Sequence, residues 1–136
     1  MTPEVADHMA FAHAKIAEAE TILRQTELWS IAARSAYLAG LSAARAIIRG
    51  HTGKSPKTHS GTRSEIGRLA MLDNRIDKSF TGFLGRGYEL KSDVDYGDPA
   101  AEEVSQSQAL DIVATATRLV AHAEWLLAQP EPPAAP

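Results

Sequence analysis

The sequence predicts an all-α protein, an antiparallel up-and-down bundle of about five helices. Apolar residues recur at three- and four-residue spacing through most of the chain, no segment offers strand alternation or hairpin turns, and clusters of Gly, Pro, Ser and Asp divide the chain into helix-length pieces. At 136 residues the chain is long enough for one core without staples. The expected organisation is a single domain over 1–128 and a disordered Pro/Ala-rich tail over 129–136.

Thr2-Pro3-Glu4 reads as an N-cap, a first-turn proline and a first-turn acid, and Val5, Met9, Ala12, Ile16, Ala19, Ile22 and Leu23 continue as an apolar stripe, so a helix is predicted over 3–25. A second helix is predicted over 27–49 with Gly50 as its stop. Leu28, Ile31, Leu38, Leu41 and Ile48 are interleaved there with many Ala and Gly, the composition of a central helix packed on several sides. Residues 50–61 hold turn formers and form a loop; a third helix over 61–72 carries Ile66, Leu69, Ala70 and Leu72, capped by Thr58 or Ser60. Ile76, Phe80, Phe83, Leu84 and Tyr88 give a fourth over 75–91, weakened by Gly82, Gly85 and Gly87, and residues 93–99 read as a turn. The last helix is predicted over 99–128, with Leu110, Ile112, Val113, Leu119, Val120 and Leu126 among its buried positions.

Composition narrows the chemistry. Without cysteine there is no disulfide, thiolate metal site or cysteine nucleophile. The five histidines form no His-x-x-x-His or Glu-x-x-His set, and Glu4 with His8 is a single pair, so neither a metal nor another cofactor is expected. Met1-Thr2-Pro3-Glu4 lacks the basic start and apolar run of a secretory signal, and no apolar run reaches a membrane span; the expectation is a cytoplasmic protein with no membrane partner.

Charge is unevenly distributed. The protein is net −3, yet Arg34, Arg45, Arg49, Lys54, Lys57 and Arg63 lie between Leu28 and Ser64 with no acid among them. Segregated positive charge marks a surface that meets an anion, although it could equally neutralise acids of the same molecule. Arg34, Arg45 and Arg49 share one helix face near Leu38 and Leu41; either that face is solvated or, where it is covered, they need internal partners, of which Asp93, Asp95 and Asp98 are the concentrated supply. Lys54, Lys57, His59 and Arg63 surround a helix start, a favourable place for phosphate, but no Gly-x-x-x-x-Gly-Lys pattern supports a nucleotide P-loop. Three roles are open to His59: acid or base, phosphate contact, or hydrogen-bonding loop residue. Only Trp29 and Tyr37 lie among these cations, which argues against base stacking.

Three stretches, Ala33–Ala46 with its Tyr37 and Ala-Ala-Arg45, then Lys57-Thr58-His59-Ser60-Gly61, then Tyr88–Tyr96, together resemble the HEPN superfamily, specifically its small stand-alone branch. Members of that branch typically show a helix with Tyr and Ala-Ala-Arg, a Lys-Thr-His-x-Gly loop and an Arg-x-x-x-Asp-Tyr turn, in this order. The resemblance covers about residues 5–128. It implies a four- or five-helix bundle, usually a homodimer, often encoded beside a minimal nucleotidyltransferase as a toxin–antitoxin pair, and active members that cleave RNA without a metal through Arg-x4–6-His. Here Lys91 stands where that Arg belongs and Tyr96 where the His would fall.

A metal-free ribonuclease needs a base for the ribose 2′-OH and a cation for the phosphorane charge. Tyr96, with a reference pKa near ~10, is a poor base, and Lys91 lacks the planar fork of arginine. The catalytic candidates are therefore His59, Lys91 and Tyr96, with His59 substituting only if its loop folds over Lys91. Arg45 and His51 match the motif spacing literally but lie on the second helix and its exit. The expected function is binding of RNA or a nucleotide-bearing partner through the basic segment, with ribonuclease activity weak or absent. Two alternatives stand beside it. One is a protein-interaction module docking a nucleotidyltransferase-type partner, with Arg34, Arg45, Asp95 and Tyr96 as a structural polar network. The other is an active metal-independent ribonuclease using His59 or His51.

Overall fold

The computed structural model describes residues 1–97 and 103–130, which form five helices: α1 (Pro3–Gln25), α2 (Trp29–Thr52), α3 (His59–Leu72), α4 (Ser79–Tyr96) and α5 (Gln106–Leu127). Among the described residues there is no strand, and no helix is long and apolar enough to cross a membrane. The all-α bundle is as the spacing predicts.

Helix α2 is the axis of the molecule and touches each of the other four. Its inward positions are largely alanine, and Ala32, Ala33, Ala36, Ala39, Ala43, Ala44 and Ala46 are completely buried. Short side chains let neighbouring backbones approach on several sides at once. Ion pairs and close contacts give the directions. Glu4 meets Arg49, so α1 runs against α2; Asp95 meets Arg34, so α4 also runs against α2; Leu127 lies against Gly50, so α5 runs with it. The short α3 runs in the sense of α2, with His59 beside Tyr37, Thr62 beside Arg45 and Asp73 beside His51.

Helix α1 begins as its sequence indicates: the Thr2 hydroxyl accepts from the Val5 N–H at 3.4 Å and Pro3 occupies the first turn. Helix α2 does not stop at Gly50. It continues to a left-handed Gly53 (φ 72°), because Gly50 has an ordinary helical conformation and its missing side chain makes room for Leu127, whose Cδ2 lies 2.8 Å from the position a Cβ would take. Leu28 and Ile31, expected inside, are exposed, as are Leu72 and Leu110.

Helix α4 starts later and ends later than its apolar spacing suggests. Asp93, Val94, Asp95 and Tyr96 are helical rather than a turn, because Asp95 bonds Lys91 one turn earlier and Arg34 across the helix interface, which outweighs the weak helix propensity of aspartate. Asp98 and Pro99 lie outside the described residues. Helix α5 begins at Gln106, not Pro99. Ser105 and Gln108 form a reciprocal capping box there, with Gln108 N–H donating to Ser105 Oγ at 3.1 Å and Ser105 N–H to Gln108 Oε1 at 2.9 Å. Of the expected tail, Gln129 and Pro130 are anchored: Gln129 N–H donates to Leu126 O, and Pro130 O accepts from Arg75 Nη1. Residues 131–136 lie outside the described residues.

Two glycines in α4 and α2 make the packing near the candidate site possible. A Cβ on Gly87 would lie 2.3 Å from Tyr37 Cδ1, and one on Gly40 would lie 2.1 Å from Phe83 Cε1. The helix-weakening glycine of α4 is therefore a seat for the Tyr37 ring, which is buried between the two helices.

Candidate functional site

A cavity of about 490 Å³ opens where the start of α3 meets α2 and α4. Its polar side comes from Lys57, Ser60 and Arg63, and its aromatic side from Tyr37, His59 and Tyr88, while Glu89 is the carboxylate on its wall. The start of α3 is held by Thr58, whose hydroxyl accepts from Gly61 N–H at 2.9 Å. This cap leaves the N–H groups of His59 and Ser60 without a partner among the described residues. Arg63 is fixed by donation from Nε to Thr81 O at 3.1 Å, and its guanidinium lies over Gly85, 2.8 Å from the position of an absent Cβ.

His59 is positioned by Tyr37. The Tyr37 hydroxyl lies 2.6 Å from His59 Nδ1, the two rings stack at 5.7 Å with 13° between planes, and Tyr88 tilts against His59 at 5.1 Å. Burial pushes the Tyr37 phenol up to about 12, with Arg45 opposing and Tyr88 adding to the rise, so it stays protonated. His59 is held below its ordinary value, first by burial and then by the charges of Arg45 and Lys91, so the ring is neutral near pH 7. Imidazole nitrogen is the stronger base and phenol the stronger acid, so the hydroxyl donates to Nδ1 and the ring proton resides on Nε2. Among the described residues no buried side-chain nitrogen or oxygen lacks a partner, so Nε2, which bonds nothing among them, reaches solvent. It offers a donor rather than a base.

The six segregated cations divide into two groups. Arg34 bonds Asp95 at 2.6 Å, and the same carboxylate bonds Lys91; Arg49 faces Glu4 at 3.8 Å and donates to Gly53 O at 2.6 Å. By contrast, Arg45, Lys54, Lys57 and Arg63 have no carboxylate partner among the described residues. Arg45 does not join Asp95: it bonds Thr62 Oγ1 at 3.3 Å, and its charge acts on His8, Tyr37 and His59. Tyr96 is 84% exposed and belongs neither to that network nor to the cavity. Lys54 lines a separate groove with Glu65 and Arg68.

Of the catalytic candidates, His59 therefore lines the cavity, Lys91 is near enough for its charge to act on His59, and Tyr96 stands apart. His51 is elsewhere and enclosed, hydrogen-bonded at both ring nitrogens to Ile47 O and Asp73 Oδ2, each at 3.1 Å. Among the described residues no three metal-ligating side chains converge. Reasoning from sequence missed the aromatic wall. Tyr88 lies three residues before Lys91, so one α4 face could have linked them, but the convergence with His59 depends on how α3 crosses α2.

The histidines also imply a pH effect on stability. His8 is lowered by burial and by Arg45, as His59 is, so between pH 6.5 and the lower folded values the unfolded chain binds more protons and stability falls as pH falls. Urea unfolding measured from pH 7 to 5 should show this decline, and replacing both residues by Gln should flatten it. An unchanged slope in the double variant would assign it to other groups. The chain matches no protein-family model, and it matches no curated protein.

Proposed function

We propose that this chain is a HEPN-like helical domain that binds RNA or a nucleotide through phosphate contacts in the cavity at the start of α3, with ribonuclease activity weak or absent. The observation that carries this reading is the separation of the cations: Arg34, Arg49 and Lys91 are matched by acids, whereas Lys57 and Arg63 line the cavity with no ion-pair partner among the described residues. Glu89 offsets only part of that charge. The His59 Nε2–H and the free N–H groups at the helix start add neutral donors suited to phosphate oxygens. The same details weigh against efficient cleavage, since His59 presents a proton instead of a vacant nitrogen and Lys91 is tied to Asp95.

Binding of a labelled oligoribonucleotide should weaken steadily with salt, because each phosphate neutralised on a single strand contributes about 0.7 to the log–log slope. Replacing Lys57 and Arg63 by Ala should reduce affinity at least about tenfold and lower the slope by about 1.4. Lys54→Ala should do less. Wild-type affinity and slope in the double variant, with the helical content unchanged by circular dichroism, would refute the reading. Incubated RNA should remain essentially intact; cleavage abolished by His59→Ala would favour the ribonuclease alternative instead.

A further inference from the structure

We infer that Tyr88 is a stacking platform for an unpaired nucleobase, so that the cavity selects single-stranded over duplex RNA; this rests on the phosphate-binding reading above. Three aromatic rings from three different helices meet at one wall, Tyr37 from α2, His59 from α3 and Tyr88 from α4. Their exposures differ in a useful way. Tyr37 is 1% exposed and supports His59 from beneath, whereas Tyr88 is 45% exposed and its hydroxyl has no hydrogen-bond partner among the described residues. The Tyr88 ring is thus braced by its neighbours and open to the cavity.

A bare phosphate site has no need of such a wall. Lys57, Ser60 and Arg63 supply the polar part, while Tyr88 and Leu84 supply an apolar part. The cavity, at about 490 Å³, falls within the ~300–1,000 Å³ range of sites that enclose a small organic ligand, larger than an inorganic anion requires. A group that carries both a phosphate and a flat π face meets both parts. In a duplex those faces are covered by neighbouring bases, so only an unpaired base can lie against Tyr88, and because every base has a π face the preference should tolerate sequence.

Fluorescence anisotropy with labelled hexauridylate, a fully paired G·C-rich RNA duplex, and Tyr88→Phe and Tyr88→Leu variants tests this. The single strand should bind wild-type protein at least about tenfold more tightly than the duplex at equal salt. Tyr88→Phe should retain that affinity, and Tyr88→Leu, which keeps apolar bulk without a π face, should lose about tenfold to a hundredfold with an unaltered salt slope. Equal affinity for duplex and single strand in the wild type, or full affinity in Tyr88→Leu, overturns the inference. Either of those results with a steep salt slope leaves the phosphate reading standing, whereas no salt-dependent binding of any RNA overturns both.

Discussion

Replacing Asp73 by alanine is expected to lower the unfolding free energy by about 2 kcal/mol, less than for a fully buried ion pair because the Arg75 side chain it leaves behind reaches solvent. Asp73 is buried at the end of α3, and its carboxylate accepts from Arg75 Nε and Arg75 N–H at 3.0 Å each, from Arg75 Nη2 at 2.9 Å and from His51 Nε2 at 3.1 Å. Arg75 in turn donates to Pro130 O at 3.0 Å. One carboxylate thus joins the end of α2, the α3–α4 connection and the chain beyond α5. Its removal leaves the enclosed His51 with Ile47 O alone as a partner and frees the Arg75 side chain that holds Pro130.

The pH dependence of this contribution has a definite sign. Hydrogen bonds from the Arg75 side chain, and then from His51, hold the Asp73 carboxyl well below the usual carboxylate range against the opposing effect of burial. A carboxyl depressed on folding stabilises at pH above its unfolded value of 3.8, and that stabilisation disappears only as pH falls through the folded value. Urea unfolding of Asp73→Ala and Asp73→Asn at pH 7 checks the magnitude. A change under about 0.5 kcal/mol for the Ala variant, the scatter of ordinary surface substitutions, would contradict the role.

Gly87→Ala separates two effects of opposite sign. Helix propensity alone favours alanine by about 1 kcal/mol, so an unhindered position would be stabilised. At Gly87 the added methyl would lie 2.3 Å from Tyr37 Cδ1 and 3.0 Å from Cγ, atoms of a buried ring that cannot swing aside. Overpacking of this kind costs about 1–3 kcal/mol, and a ring clash places it at the upper end, so the net expectation is destabilisation by about 2 kcal/mol. The displaced ring should also lose its 2.6 Å bond to His59, so RNA affinity should fall together with stability. Stabilisation by Gly87→Ala would show that Tyr37 does not pack on α4 as described.

These residues also indicate which parts of the molecule a sequence makes legible. Thr2-Pro3 and the spacing of Val5, Met9, Ala12 and Ile16 locate α1 because capping and amphipathicity are local. Ser105-x-x-Gln108 was an equally local signal for the start of α5, but Pro99 offered a competing first-turn position. The stop of α2 is not legible at Gly50 because a glycine can serve either a left-handed end or a close contact, and only Leu127, distant in sequence, decides that Gly50 is the second kind. The extension of α4 to Tyr96 likewise depends on Arg34, sixty-one residues from Asp95.

The candidate site divides in the same way. Lys57, His59 and Arg63 are readable because their charge and the adjacent helix start are contiguous in sequence. Which cations remain without acids is not readable, since Arg34 and Arg45 look alike on one helix face and only the structure gives one Asp95 and the other Thr62. The aromatic wall needs three helices to meet, and neither composition nor spacing contains that information.

Titration of isotope-labelled protein with hexauridylate, followed by NMR, tests the central claim most directly. The account predicts concentration-dependent shifts concentrated at Ser60, Gly85, Tyr88 and Glu89 and at the His59 ring, reversed by added salt. A silent cavity, with shifts instead around the exposed Met71 and Leu72 or around Trp125, would contradict it.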